Sequence, residues 1–360
     1  MAGFRVGIAG SGFGARVEAP MFAVHAGFEP VAIATLHRGD EARIREESGM
    51  HDVLHDWRRL LDRHLDLLVV AAHPALHREI TEAALAQGLH VLCEKPMALD
   101  LAEAAAMEEA RVRSGTVGAI TFEFRFRPAR QAVRRLIADG AIGQPLHVAF
   151  SGQDPRLPQL QAERIGWLGQ SEMGGGRLGA LGSHMVDSLR YWTGDEVAEL
   201  SAELTTHVPD GPGGERRDAD DAFVVVGRLQ GGATFVLDYQ SASRRPAGWQ
   251  LAVHGSQGTI ALRDDRAVWL QTGGGGWREI DLPPAADHPD LPAAARGYAS
   301  AFLPFLDRLH QSLAGGEATG DLPTFRDGVA SQRLLDAVRR SARTGLRQHL
   351  QGIDDAPVGT

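Results

Sequence analysis

Two short stretches hold the residues best suited to chemistry. In GLHVLCEKPMALD, residues 88–100, an apolar run ends at Cys93 and is followed by Glu94, Lys95 and Pro96. An ammonium at a strand end can donate a proton to a carbonyl oxygen as hydride arrives, and as the amine it can take an alcohol proton in reverse. Pro96 holds Lys95 in extended backbone and fixes the stem of that side chain. A lysine pKa of about 10.4 is high for a base at neutral pH; a neighbouring cation or desolvation lowers it, and pairing with Glu94 opposes the lowering. Glu94 can anchor the strand end or hydrogen-bond a substrate. By itself, a Glu-Lys-Pro turn is more often a surface turn than a catalytic one. The second stretch is EMGGGRLGALGSHMVDSLRYWTG, 172–194. His184 and Asp187 are three apart and share one helical face. An imidazole there can pass a proton near neutrality or hold a hydroxyl, and equally can be a packed structural histidine. Gly174, Gly175 and Gly176 let the chain approach a ligand closely.

A third signal lies at the N-terminus. VGIAGSGFGARVEAP places Gly10, Gly12 and Ala15 at the positions of a G-x-G-x-x-G/A loop, with Ser11, Phe13 and Gly14 between them. Gly10 permits the tight turn, Gly12 removes the side chain that would block a pyrophosphate, and Ala15 permits close contact between helix and strand. At the end of the second strand, Thr35, Leu36, His37 and Arg38 stand where an acidic residue would accept the adenosine ribose hydroxyls. Asp40 comes late in that turn, so the pocket favours NADP over NAD.

These residues need a parallel sheet to bring them together. Strands are expected at 4–9, 30–35, 66–71 and 89–93, with helices at 15–26, 40–48, 75–87 and 101–112, the alternation of βαβ units. Asp100 is a candidate N-cap for the last helix, with Glu103 three positions on. In such a sheet the ligand crevice lies beyond the carboxyl ends of the strands, where Glu94 and Lys95 would emerge. After about 120 the rhythm changes. The stretch AITFEFRF suggests a strand, a basic amphipathic helix follows, and then comes PLHVAFSG. Short apolar segments at 197–207, 222–229, 233–240, 249–254, 259–263 and 266–270 suit an open, mostly antiparallel sheet. Helical patterns at 182–192, 295–313 and 326–344 can cover one face of it. The stretch 207–221 reads as a solvated loop, TGGGGW at 272–277 as a turn between strands, and 351–360 as a flexible tail. The expected domains are 1–120, an α/β dinucleotide-binding unit, and 121–350, an α/β unit on the antiparallel sheet with a late helix able to return to the first.

Composition narrows the partners. There are 37 basic and 46 acidic residues, a formal charge of −9, and no dense basic block to follow a phosphate backbone, so nucleic acid is not expected. One cysteine excludes an internal disulfide framework. No leader and no long apolar span are evident, which reads as a soluble cytoplasmic protein. His73 and His77 lie four apart and imitate a metal pair, but His73 precedes Pro74 at a strand end where the nicotinamide half should pass, and no metal is expected. There is no G-x-S-x-G elbow for a serine hydrolase.

In that order, GIAGSGFGA, HPALH, HVLCEKPMALD and GGGRLGALGSHMVD resemble the glucose-fructose oxidoreductase / inositol dehydrogenase / rhizopine-catabolism (Gfo/Idh/MocA) family, and the likeness runs from Phe4 to about Arg343. The resemblance implies a Rossmann domain, a C-terminal α/β domain whose open sheet supports dimers or tetramers, and NAD(P)-dependent oxidation or reduction of a sugar, polyol or cyclitol. It matches Lys95 and His184 to the family's proton-handling pair. It adds Arg127 as a substrate contact beside them, and places Ala72, His73, Pro74, His77, Glu94, Lys95, Pro96 and Trp167 along the cofactor. Where the family has an aspartate four residues before the histidine, this chain has Ala180. That departure keeps open a non-enzymatic dinucleotide sensor, and the likeness of a few family relatives to NAD-dependent glycosidases with transient substrate oxidation keeps open a second alternative.

Overall fold

The computed structural model describes residues 3–350 apart from 37, 285, 287 and 319. Thus His37 and the tail 351–360 lie outside the described residues. The chain forms two compact units, Met1–Phe126 with Ala285–Val329, and Arg127–Pro284 with Ala330–Thr360.

The first unit is a parallel sheet of β1 (Phe4–Ala9), β2 (Phe28–Ala34), β3 (Asp52–Leu54), β4 (Leu67–Val70), β5 (His90–Cys93) and β6 (Gly118–Ile120) in the order β3-β2-β1-β4-β5-β6. The order reverses between β1 and β4, which opens a crevice past their carboxyl ends. The run LLVV of β4 is buried on both faces, as a central parallel strand requires. Val6, Ile8, Leu67, Val69 and Leu92 feed one core, and Leu68, Val70, Val91 and Cys93 feed the other. Each such aliphatic side chain contributes roughly 1.5–3 kcal/mol on full burial. Helices His77–Ala86 and Leu101–Ser114 cover the second core. Asp100 caps Leu101–Ser114 as expected, its Oδ1 accepting the Glu103 N–H at 2.9 Å.

Two expectations for this part of the chain need correction. The helix Ala299–Gly315 does not cover the antiparallel sheet: its Phe302, Phe305, Leu306 and Leu309 share the first core with Val6, Phe22 and Leu67. Within AITFEFRF the strand stops at Ile120, and Glu123–Phe126 is a helical turn whose Arg125 pairs with Asp327 at 2.8 Å.

The second unit holds β7 (Pro145–Gln153), β8 (Val197–Thr205), β9 (Ala222–Leu229), β10 (Thr234–Gln240), β11 (Gly248–Gly255), β12 (Gly258–Arg263), β13 (Ala267–Thr272), β14 (Arg278–Glu279) and β15 (Gln348–His349). Their order is β14-β13-β12-β11-β7-β10-β9-β8-β15, antiparallel except where β10 pairs with β7. Alternate residues such as Val148, Phe150, Phe235, Leu237, Leu251 and Val253 point into a core shared with Val133, Met185, Leu189, Trp192 and Leu335 from the covering helices. On the opposite pleat Val224 and Val226 are exposed.

Candidate active site

β1 delivers the chain to Gly10, which takes φ +132°. A Cβ there would lie 2.2 Å from the Ala71 carbonyl oxygen, so glycine is what lets the exits of β1 and β4 run side by side. Gly12 is exposed, and a Cβ on it would meet no atom within 4 Å. The protein's own packing therefore does not require glycine at 12, whereas close approach of a pyrophosphate does. Gly14 and Ala15 are buried, and the first turn, Gly14–Glu18, is π-helical before the α-helix Ala19–Val24 begins. Single π-turns of this kind recur at functional sites. Phe13 meets Tyr298 edge-on at 5.2 Å. These features fit a dinucleotide phosphate at the loop.

The end of β2 is tied to the same loop. The Ser11 hydroxyl lies 2.8 Å from the Thr35 hydroxyl, and both residues are buried. Leu36 and Arg38 are exposed. Asp40 pairs with Arg43 at 2.7 Å.

β4 leads to Ala72, His73 and Pro74, and β5 leads to Glu94 and Lys95; both exits lie at the carboxyl edge with the glycine loop. The Lys95-Pro96 peptide is cis. Lys95 keeps 19% of its side chain exposed, and its Nζ is 3.9 Å from Glu94 Oε2. Glu94 is buried, its Oε2 accepts the Lys95 backbone N–H at 3.3 Å, and burial raises its carboxyl above the ordinary range while Lys95 works the other way. His77 is another residue expected along the cofactor. It is buried, with Nδ1 3.1 Å from the Pro96 carbonyl and Nε2 3.0 Å from that of Ala72. Burial lowers its pKa to about 4, so the neutral ring has one N–H and donates to one of these two carbonyls, with its other nitrogen close to the second. One signal in the sequence went unread: Lys95 is the only lysine in the 360 residues.

The second unit carries Arg127, Trp167 and His184. His184 is buried in the helix Ser183–Thr193, which follows a second π-turn, Leu178–Gly182, bearing the half-buried Ala180. Arg127 Nε is 3.6 Å from Asp265, and Trp167 is half-buried in the turn Gly166–Gly169. The glycines before His184 are packed against protein rather than left open for a ligand. A Cβ on Gly175 would lie 2.5 Å from the Trp167 carbonyl oxygen, and one on Gly176 would lie 2.2 Å from Asp220 Oδ1.

The stretch 207–221, expected as a solvated loop, clamps this region. Glu215 accepts the N–H groups of Ile165 and Gly166 at 3.0 and 2.9 Å, and Arg217 donates to the Leu160 and Glu163 carbonyls at 2.6 and 2.8 Å. Asp220 Oδ2 accepts the Leu178 N–H at 2.7 Å, at the start of the π-turn that leads to His184. Burial raises the Asp220 pKa to about 6, against the hydrogen bond from Leu178. The folded protein thus binds this proton more tightly than the unfolded chain, so stability present below about pH 4 is lost as the pH rises to about 6. The loss is up to about 3 kcal/mol. Asp220→Asn keeps an acceptor for Leu178 and removes the charge. Urea unfolding from pH 4.5 to 7.5 should show the variant gaining on the wild type by about 2 kcal/mol across that interval. Parallel curves would show that Asp220 titrates normally.

Comparison with known proteins agrees with this architecture. Residues 4–122 match the family model described as oxidoreductase family, NAD-binding Rossmann fold, and residues 130–261 match the GFO/IDH/MocA C-terminal domain. The chain is 31% identical to the 1,5-anhydro-D-fructose reductase of Ensifer adhaerens, over 79% of each protein. It is 28% identical to the levoglucosan dehydrogenase of Pseudarthrobacter phenanthrenivorans, over 95% of this chain and 97% of that one. A solved levoglucosan dehydrogenase in complex with NADH and L-sorbose superposes with a TM-score of 0.86 at 25% identity, covering 98% of this chain and 100% of the other. No helix among the described residues is long and apolar enough to cross a membrane. A glycine loop built for a dinucleotide, the family models that match both parts of the chain and these relatives lead to one conclusion: the chain belongs to the Gfo/Idh/MocA oxidoreductases, NAD(P)-dependent enzymes acting on hydroxyl or carbonyl groups of sugar-, polyol- and cyclitol-type compounds.

Proposed function

We propose that this enzyme interconverts a secondary alcohol of a sugar or polyol and the corresponding carbonyl, with Lys95 as the group that gives or takes the oxygen-bound proton. The observation carrying the assignment is the placement of a single, partly exposed lysine on the turn after β5, at the same sheet edge as the glycine loop. A nicotinamide held by Gly10–Ala15 and the exits of β4 and β5 supplies or takes up the hydride. His77 and Glu94 fix the turn, so that the amine starts from a defined stem. Arg127, Trp167 and His184 are assigned to this function as well, Trp167 to cofactor contact, Arg127 and His184 to holding the substrate, and His184 also to sharing the proton transfer. Self-association through the open face bearing Val224 and Val226 belongs to the same reading. The test is a screen of polyols, aldoses and ketoses with NAD⁺, NADP⁺ and the reduced forms, following nicotinamide absorbance and sugar release together. Net change in reduced nicotinamide supports a dehydrogenase. Release of sugar with no net cofactor change would establish the glycosidase alternative in its place.

NADP is the preferred cofactor in this reading. Thr35 is neutral and bonded to Ser11, Arg38 is exposed, and Asp40 is paired with Arg43, so no free carboxylate stands among these residues to accept the ribose hydroxyls. NADPH should bind roughly tenfold more tightly than NADH, about 1.4 kcal/mol, and Arg38→Ala should narrow the gap. A fluorescence titration in which NADH binds tenfold more tightly would reject the preference.

A further inference from the structure

Asp220, two residues before β9, grips three successive residues of the chain that leads to His184. Its carbonyl oxygen accepts the Arg177 N–H at 2.9 Å, and its Oδ2 accepts the Leu178 N–H at 2.7 Å. Its Oδ1 fills the space that a Cβ on Gly176 would need, 2.2 Å from it, so glycine at 176, with φ +99°, is what admits the carboxylate. Leu178 passes this hold on. It is buried, and its own carbonyl accepts the N–H of Ser183 across the π-turn. Ser183 opens the helix and precedes His184. Gly182 lies between Leu178 and the Phe223 ring, where a Cβ would come within 3.0 and 3.1 Å of their atoms. Each link from Asp220 to Ser183 is therefore a hydrogen bond or a packed contact inside one unit of the chain.

Two features set Asp220 apart from an ordinary cap. Arg177, at the N-cap position of the π-turn, makes no side-chain hydrogen bond there, so the acceptor comes from forty-two residues along the chain. The second feature is its charge. An asparagine would satisfy Leu178 without one, whereas burial disfavours the ionised Asp220 and raises its pKa to about 6. Arg177, Arg217 and Asp221 line the same small cavity as Asp220, and Arg339 of the helix Phe325–Thr344 favours the carboxylate. Asp221 accepts the His207 and Val208 N–H groups, and Arg217 is bonded to Glu215 and to the Leu160 and Glu163 carbonyls. At neutral pH the protein thus carries a charge that weakens its fold, at the point where a charge-assisted bond fixes the turn most tightly.

We propose that Asp220 is a positioning residue for His184: its carboxylate, by drawing in the Leu178 N–H, fixes the π-turn and with it the start of the helix that presents the imidazole. This rests on His184 holding the substrate, as assigned above. A purely structural role would make stability and turnover fall together when the charge is removed. Positioning gives them opposite signs, because the charge that weakens the fold is the one that holds the turn in place.

Full-length Asp220→Asn, assayed with a substrate from the screen, should turn over roughly tenfold more slowly than the wild type at pH 7.5, although its urea midpoint is no lower. At pH 5.0 the wild-type carboxyl is itself neutral, and the two proteins should agree within about twofold. Equal losses at both pH values, no loss at pH 7.5, or a loss matched by a lower midpoint overturns the proposal. Labelling with ¹⁵N-leucine gives a readout that needs no substrate. The Leu178 amide proton, assigned with Leu178→Met, should move downfield as the carboxylate forms, with its midpoint near pH 6, and should not titrate in Asp220→Asn. Should that variant fail to fold, a wild-type Leu178 amide that stays in place from pH 4.5 to 7.5 overturns the proposal. If the amide titrates but His184→Ala retains full turnover, it is the assignment of His184 that fails, and the two failures are distinguishable.

Discussion

Replacing Lys95 with alanine should lower kcat on the true substrate by roughly 10²-fold or more while leaving dinucleotide affinity within a few-fold of the wild type. The separation of the two effects is the informative part. Lys95 follows β5, whereas the loop that would hold the pyrophosphate follows β1, and its geometry rests on Gly10 against Ala71 and on Ser11 with Thr35. Removing an amine from the neighbouring turn touches none of those contacts. The cis Lys95-Pro96 turn is also held independently of the amine, by the buried His77 ring beside the Pro96 and Ala72 carbonyls and by Glu94 on the Lys95 backbone N–H. A uniform loss of binding and turnover would instead indicate a collapsed turn. Arginine is a poor substitute, because its guanidinium does not deprotonate in proteins and is bulkier at the tip, so Lys95→Arg should not rescue oxidation. Steady-state kinetics with a substrate from the screen, paired with a NADPH fluorescence titration, measure both quantities. Unchanged turnover in Lys95→Ala removes the residue from the mechanism.

The largest effect on stability is expected at Asp265. Arg130 is fully buried beneath the rings of Phe150, Trp192 and Trp249, at 5.4, 5.7 and 5.4 Å, and its counter-charge is Asp265, at 2.8 and 3.1 Å. The same guanidinium donates to the Ser188 hydroxyl at 2.7 Å, on the helix that carries His184. Asp265→Ala takes a two-point carboxylate partner from an enclosed cation, a loss of about 3–5 kcal/mol. It also puts alanine at φ +55°, a left-handed backbone that aspartate and asparagine tolerate better. Asp265→Asn, which keeps an acceptor and the backbone preference, should lose less. Urea unfolding monitored by tryptophan fluorescence gives the ordering wild type, Asn, Ala; a loss under about 1 kcal/mol for Asp265→Ala would mean that the aromatic rings and Ser188 suffice for Arg130. Because Arg130 bridges to Ser188, the substitution should also loosen the helix around His184, visible as faster amide exchange in Ser183–Thr193.

Local features were the legible ones. The turn at Gly10, the N-cap at Asp100 and the antiparallel pairing of β9 with β10 each depend on residues close in sequence, and each is present. What escaped depends on where distant residues meet. Residues 207–221 read as solvated because Glu215, Arg217 and Asp221 are charged, yet their partners at 160–166 and 207–208 take them into the interior. The amphipathic pattern at 295–313 announces a helix but not which apolar face receives it, and both units offered one. Glu18 sits in a helix-like stretch where a glutamate ordinarily faces water. In the fold it has no exposed surface. Pro96 and Lys95 could be placed at a sheet edge from the pattern of apolar runs, while the clip by His77 depends on a hydrogen bond across nineteen residues and has no local signature.

The most direct test of the account is a crystal structure of this chain with NADPH bound. The account predicts the pyrophosphate against the backbone of Gly10–Ala15, with the Gly12 gap filled, and Lys95 Nζ turned toward C4 of the nicotinamide ring within about 5 Å, close enough to reach the oxygen of a carbon lying over that ring. A dinucleotide bound elsewhere, or a ring whose C4 faces away from Lys95 with the amine left in solvent, would contradict it.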